Sequence, residues 1–266
     1  HKVVTLHPRG GHAEWHMLYF HGGGFVRPMF KVHWPLVAEM VKRCGMSVTV
    51  PLYPVVPEAS YMAQDDLADA AWADLAARHD PARIILNGDS AGGHMALALA
   101  LRLVAAGGLL PGKLALFAPW LDLGLADPAI AAVEPHDVML KIGTLRACGG
   151  LVADGRRIDD PEVSPLYAGT EMLAQLPPTR IWTGRHDIFI VDSRSFLARL
   201  VEADLAAALA ARQVGDGHRD RVGARAGDVD DGTLGRALGH QRRGEDTGGH
   251  QGTGGAREQG AAGEAH

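Results

Sequence analysis

Six residues in the middle of the chain, Gly88-Asp89-Ser90-Ala91-Gly92-Gly93, restrict its fold more than any other stretch. They follow a short aliphatic run at residues 83–87 and open a segment, residues 91–106, whose apolar positions recur every three or four residues as in a helix. A G-x-S-x-G pentad between a strand and a helix forces its serine into strained turn geometry and pushes the hydroxyl outward. The flanking glycines remove β-carbons that would strike neighbouring chain. Ser90 is therefore the candidate nucleophile. A phosphate-cradling turn is the competing reading. It is disfavoured because the lysine of G-x-x-x-x-G-K-[ST] and the spacing of G-x-G-x-x-G are both missing.

The rest of the chain gives this turn a scaffold. Apolar runs at residues 15–20, 46–50, 83–87, 113–117 and 179–183 read as buried strands, and helical patterns at 34–42, 65–78, 91–106 and 192–203 alternate with them. That alternation predicts an α/β fold with a mostly parallel sheet and helices on both faces. A chain of 266 residues, 47% of them hydrophobic, is long enough for one such core. A net charge of −5 offers no general attraction for phosphate backbones or anionic lipid, so nucleic acid is not an expected partner. No apolar run is long enough to span a bilayer, and no integral membrane segment is expected. The opening His1-Lys2-Val3-Val4 has no signal-type pattern; an N-terminus that begins inside the natural protein and a cytoplasmic location are the expectations. Cys44 and Cys148 form no C-x-x-C pair and are expected to be two buried thiols.

A second glycine cluster, His21-Gly22-Gly23-Gly24-Phe25, stands directly after the first of these strands. Consecutive glycines leave backbone N–H groups uncovered. Those of Gly22 and Gly23, with that of Ala91, are expected to receive the charge of a tetrahedral intermediate. His21, at the head of the loop, is expected to fix it through hydrogen bonds rather than act as a base.

Together with Tyr53-Pro54-Val55-Val56-Pro57-Glu58, Ala118-Pro119-Trp120-Leu121-Asp122-Leu123 and Pro161-Glu162-Val163-Ser164-Pro165-Leu166-Tyr167, these motifs resemble the hormone-sensitive-lipase-like carboxylesterases of the α/β-hydrolase superfamily. The likeness runs through most of residues 2–205, with Tyr-Pro-Val-Val-Pro-Glu standing where the family usually has Tyr-Arg-Leu-Ala-Pro-Glu. It implies hydrolysis of small-molecule esters with short to medium acyl chains, without a metal or organic cofactor. A homodimer stays open. It also implies an acid just beyond the strand at 179–183, for which Asp187 is the choice. Asp192 is the alternative, read as a helix N-cap, and Asp89 is expected to bond neighbouring backbone. Chain order in this fold runs serine, acid, histidine. That leaves His218, His240, His250 and His266, and Gly215-Asp216-Gly217-His218 is the one that resembles the family's G-x-x-H turn. Upstream histidines such as His94 and His186 are read as packing or bystander groups.

The expected organisation is a hydrolase core over residues 1–205, carrying a cap insertion at about 124–160 in which Met139, Leu140 and Leu145 make a partly apolar lid. Residues 206–266 form a separate tail without Phe, Trp, Tyr, Ile or Met. Such a segment buries too little apolar area to offset its ordering entropy. It reads either as a natural disordered extension or, preferred here, as the product of a shifted reading frame. The competing functional reading is a catalytically impaired hydrolase-fold protein that binds a small apolar acid or ester.

Overall fold

The computed structural model describes residues 2–11, 13–213 and 229–230. Among them a seven-stranded sheet has the order β1-β3-β2-β4-β5-β6-β7. Its strands are β1 (Lys2–Leu6), β2 (His16–Phe20), β3 (Ser47–Leu52), β4 (Ile84–Asp89), β5 (Lys113–Phe117), β6 (Thr179–Trp182) and β7 (Val229–Asp230). Every neighbouring pair is parallel except β1 with β3.

Parallel strands need long crossovers, and helices supply them. These are α1 (His33–Cys44), α2 (Tyr61–Arg78), α3 (Ala91–Ala105), then α4 (Ile130–Val133), α5 (Ile142–Ala153) and α6 (Thr170–Leu173) between β5 and β6, and α7 (Ile190–Gln213). All five residues of β2 are buried because both faces of the strand are covered. Met17 and Tyr19 join Val48, Val50, and Val37 and Val41 of α1 in one cluster. Leu18 and Phe20 point the other way, into a larger cluster with Leu86, Leu116 and the buried sides of α2 and α3. This is the period of two that a pleated strand imposes.

The crossover through α1 sets β3 on one side of β2, and the crossover through α2 brings β4 to its other side. Strand order therefore reverses between β2 and β4, and the carboxyl ends of two such strands flank a crevice where ligands of open α/β sheets bind. The glycine loop leaves β2 there, and Ser90 leaves β4.

Several details differ from the sequence reading. α2 starts at Tyr61, four residues earlier than its apolar spacing indicates, because the Ser60 side chain accepts the Ala63 N–H at 3.3 Å and caps the helix. β1 is an edge strand too short for its alternation to stand out. The two thiols are not buried. Cys44 is exposed as the last residue of α1, just before the left-handed Gly45 that ends the helix, and Cys148 is half-buried on α5. α7 begins at Ile190 and runs unbroken past residue 206 to Gln213. The insertion folds into α4, a tight turn at Glu134–His136, and α5; Leu145 is buried in the core while Val138 and Met139 are exposed. No helix among the described residues is long and apolar enough to cross a membrane. Of the expected tail, residues 206–213 continue α7 and residues 229–230 form β7, while His218, His240, His250, His266 and the other tail residues lie outside the described residues.

Candidate active site

The turn after β4 takes the strained form that its sequence dictates. Ser90 has φ 54° and ψ −118°, a conformation that costs a non-glycine residue on the order of 1–3 kcal/mol. The surroundings hold it there. The Ser90 N–H donates to the Phe117 carbonyl at 2.9 Å, and its own carbonyl accepts the His94 and Trp120 amides at 3.1 Å each. A β-carbon on Gly88 would collide with the Gly92 carbonyl, and one on Gly92 with the carbonyl of Phe20. Only glycine permits strand, turn and helix to pack this closely.

Parallel pairing of Phe20 with Gly88 then sets the next residues of the two chains side by side. The Gly22 N–H donates to Asp89 Oδ1 at 2.9 Å, and the Tyr19 hydroxyl donates to the same oxygen at 2.5 Å. His33 Nε2 lies 3.4 Å from Asp89 Oδ2. Burial pushes the Asp89 carboxyl up, but the contacts with His33, Tyr19 and Gly22 outweigh it and hold it below its usual range. The same contact with Asp89 outweighs the burial of His33 and raises that imidazole. Asp89 thus bonds backbone as the sequence indicates, and it also meets the His33 imidazole, a partner that no local pattern reveals.

This corrects the role expected of Gly22. Its amide donates to the half-buried Asp89 carboxylate, which anchors the loop, and is not free to face an oxyanion. Among the described residues the Gly23 and Gly24 amides, at φ 137° and φ 62°, donate to no protein acceptor. Ala91 opens α3, and the first N–H of a helix has no partner within it.

His21 holds the loop from below. Its ring is wholly buried and stacks on Tyr53 with centroids 4.1 Å apart, Nδ1 lies 2.8 Å from the Gly22 carbonyl, and burial lowers its pKa to about 4. A neutral ring donating from Nδ1 fits these distances and the structural part given to His21. The Tyr53 hydroxyl donates to the His21 carbonyl at 2.5 Å, while Val56 N–H and Gln64 Nε2 donate to the carbonyl of Phe25. Sequence reasoning missed Gln64 as a loop anchor; an uncharged polar residue on the apolar side of α2 is the available signal. His94, wholly buried, bridges the Trp120 carbonyl at 2.9 Å and the Tyr61 hydroxyl at 3.1 Å, a packing role as expected.

Asp187 follows β6, two strands along from β4 at the same carboxyl edge of the sheet. Its Oδ1 accepts the Phe189 N–H at 2.8 Å, an Asx turn that leads into α7. Burial raises its pKa to about 6, with the Phe189 amide opposing and the nearby Asp137 charge adding to the rise. Asp192 is therefore not the N-cap expected of it, since α7 begins two residues before it, just after the Asx turn of Asp187. Asp192 lies inside the first turn of α7, 1% exposed, and its Oδ2 has no partner among the described residues. Asp187 also lines a cavity of about 550 Å³ with His136, Asp137, Val138, Met139 and Leu140. Among the described residues no three His, Cys, Asp or Glu side chains gather as a metal would need.

Residues 17–214 match the family described as alpha/beta hydrolase fold. An esterase of Acinetobacter venetianus is 35% identical over 191 residues, covering 71% of this chain and 62% of its own length. A triacylglycerol lipase of Mycobacterium tuberculosis is 31% identical over 187 residues, 70% of this chain and 37% of the lipase. The chain thus spans less than two thirds of either relative. Among solved structures, an esterase from the bacterial hormone-sensitive lipase family superimposes with a TM-score of 0.70 at 27% identity, covering 76% of this chain and 67% of that one.

Proposed function

The chain belongs to the alpha/beta hydrolase fold family, in its hormone-sensitive-lipase-like branch, and from that premise we propose that it is a serine carboxylic-ester hydrolase working through an acyl-enzyme on Ser90. The observation that carries the reading is the Ser90 backbone, φ 54° and ψ −118°, held beside a glycine loop whose Gly23 and Gly24 amides have no acceptor among the described residues.

In this reading Ser90 Oγ attacks the ester carbonyl as an imidazole removes its proton. The carbonyl electrons move onto oxygen, to which the amides of Ala91, Gly23 and, in place of Gly22, Gly24 donate hydrogen bonds. Collapse breaks the bond to the alcohol, which leaves with the proton, and water attacking by the same route releases the acid. Asp187 orients the imidazole and stabilises its cation. His218 is the histidine proposed for that ring. The cavity beside Asp187, walled by Val138, Met139 and Leu140, accepts a short to medium acyl or alcohol group.

Hydrolysis of p-nitrophenyl acetate and butyrate by the chain and by Ser90→Ala tests the proposal. Turnover that vanishes with the hydroxyl supports it. Equal rates remove it, and saturable ester binding without turnover assigns a binding role instead.

A further inference from the structure

Asp137 stands in the insertion, fifty-one residues from the acid loop in sequence, yet it is 8% exposed and all its carboxylate bonds go to backbone amides of two separate segments. Oδ1 accepts the Met139 and Leu140 N–H groups, each at 2.8 Å, and so closes the loop at 137–140 on itself. Oδ2 accepts the Ile188 N–H at 3.0 Å. Ile188 is the residue after Asp187, whose own carboxylate is turned by the Phe189 amide. One buried side chain therefore fastens the insertion to the loop that carries the acid, and both loops wall the same cavity. A second contact, His136 against His186 with ring centroids 5.8 Å apart, lies beside it.

We propose that Asp137 is the positioning residue of Asp187, tying the insertion to the acid loop so that the acid is presented at a fixed place over the sheet edge. The proposal rests on the esterase reading for what Asp187 does. A carboxylate suits this task because both oxygens accept, which lets one residue hold three donors at once. An asparagine has a single acceptor oxygen. That oxygen stays with the two amides of its own loop, and the lone bond to Ile188 is the one lost.

The test compares the chain with Asp137→Asn and Asp137→Ala, using amide hydrogen exchange by NMR and hydrolysis of p-nitrophenyl butyrate. In Asp137→Asn the Ile188 amide exchanges at least tenfold faster while Met139 and Leu140 keep their protection. kcat falls at least tenfold, with KM within threefold. Asp137→Ala frees all three amides; should it fail to fold, Asp137→Asn decides. Unchanged exchange at Ile188, unchanged kcat in a variant whose Ile188 is freed, or a rise in KM at constant kcat overturns the proposal. If the unsubstituted chain shows no Ser90-dependent turnover, the esterase reading falls by itself. The Ile188 exchange rate then decides the tie alone, faster exchange supporting it and unchanged exchange overturning it.

Discussion

Asp89 Oδ1 holds the Gly22 amide at 2.9 Å across sixty-seven residues of chain, so the neighbour of Ser90 is the anchor of the glycine loop. The two halves of the site cannot drift apart while this bond and the His33 contact persist. Asp89→Ala removes both and leaves the Tyr19 hydroxyl without its acceptor. A fall in kcat of about 10- to 100-fold is expected, less than or similar to the loss of one oxyanion donor, with KM changed little. Steady-state kinetics on p-nitrophenyl butyrate check it, and an unchanged kcat counts against the anchoring role.

Gly92→Ala puts a β-carbon into the Phe20 carbonyl, which neither a rotamer change nor a small shift relieves, because strand β2 and helix α3 are both buried at that point. The expected result is a loss of several kcal/mol, on the order of 3 or more, read as a fall in Tm or as insoluble protein. Gly143→Ala, where the added carbon meets nothing within 4 Å, is expected to fold normally and serves as the control.

Neighbouring imidazoles are expected to titrate far apart. His33, 5.9 Å from His21, is raised by Asp89, whereas burial lowers His16, His21 and His94 to about 4. Histidine ring signals followed by NMR are expected to show His33 charged at pH 6 and the other three neutral at pH 5. The unfolded chain binds protons at these three sites below pH 6.5, while the fold binds them only near pH 4. Each therefore withdraws stability as pH falls from about 6.5 to 4, and contributes no pH dependence above that window. For His94, wholly buried, the loss at pH 4 is on the order of 3 kcal/mol. A ring of the three that charges near pH 6.5 contradicts the burial argument.

Asp192 has the opposite sign. Burial, then the charges of Asp122 and Asp127, raise its carboxyl to about 7, and Oδ2 has no partner among the described residues. The fold keeps this proton where the unfolded chain has lost it, so stability drains away as pH rises from about 4 through 7. Asp192→Asn is expected to raise Tm at pH 8, by a few degrees for a gain on the order of 2 kcal/mol, and to change little at pH 5. A variant less stable than the parent at pH 8 contradicts it.

The contrast between these residues shows what the sequence makes legible. Ser90, the strands β2 to β6 and the long helices were readable because their determinants are local: a glycine two places away, an apolar run, a period of three to four. The commitment of the Gly22 amide was not, since it depends on a carboxylate brought near by the register of β2 on β4. The burial of Asp192 depends on α7 starting two residues earlier, under the Asx turn of Asp187. Asp137 meets the acid loop only after the insertion has folded back over the sheet. Short pieces such as α4 and α6, four residues each, carry too few positions for a period to show.

The most direct test of the central claim is covalent. An alkylphosphonate p-nitrophenyl ester mimics the tetrahedral intermediate: the serine oxygen bonds to phosphorus and p-nitrophenolate leaves. One equivalent of p-nitrophenolate per chain, with the alkylphosphonyl mass on the peptide containing Ser90 and none on Ser90→Ala, is the predicted result. A chain that releases no p-nitrophenolate, or carries the adduct on another residue, contradicts the assignment of Ser90 as nucleophile.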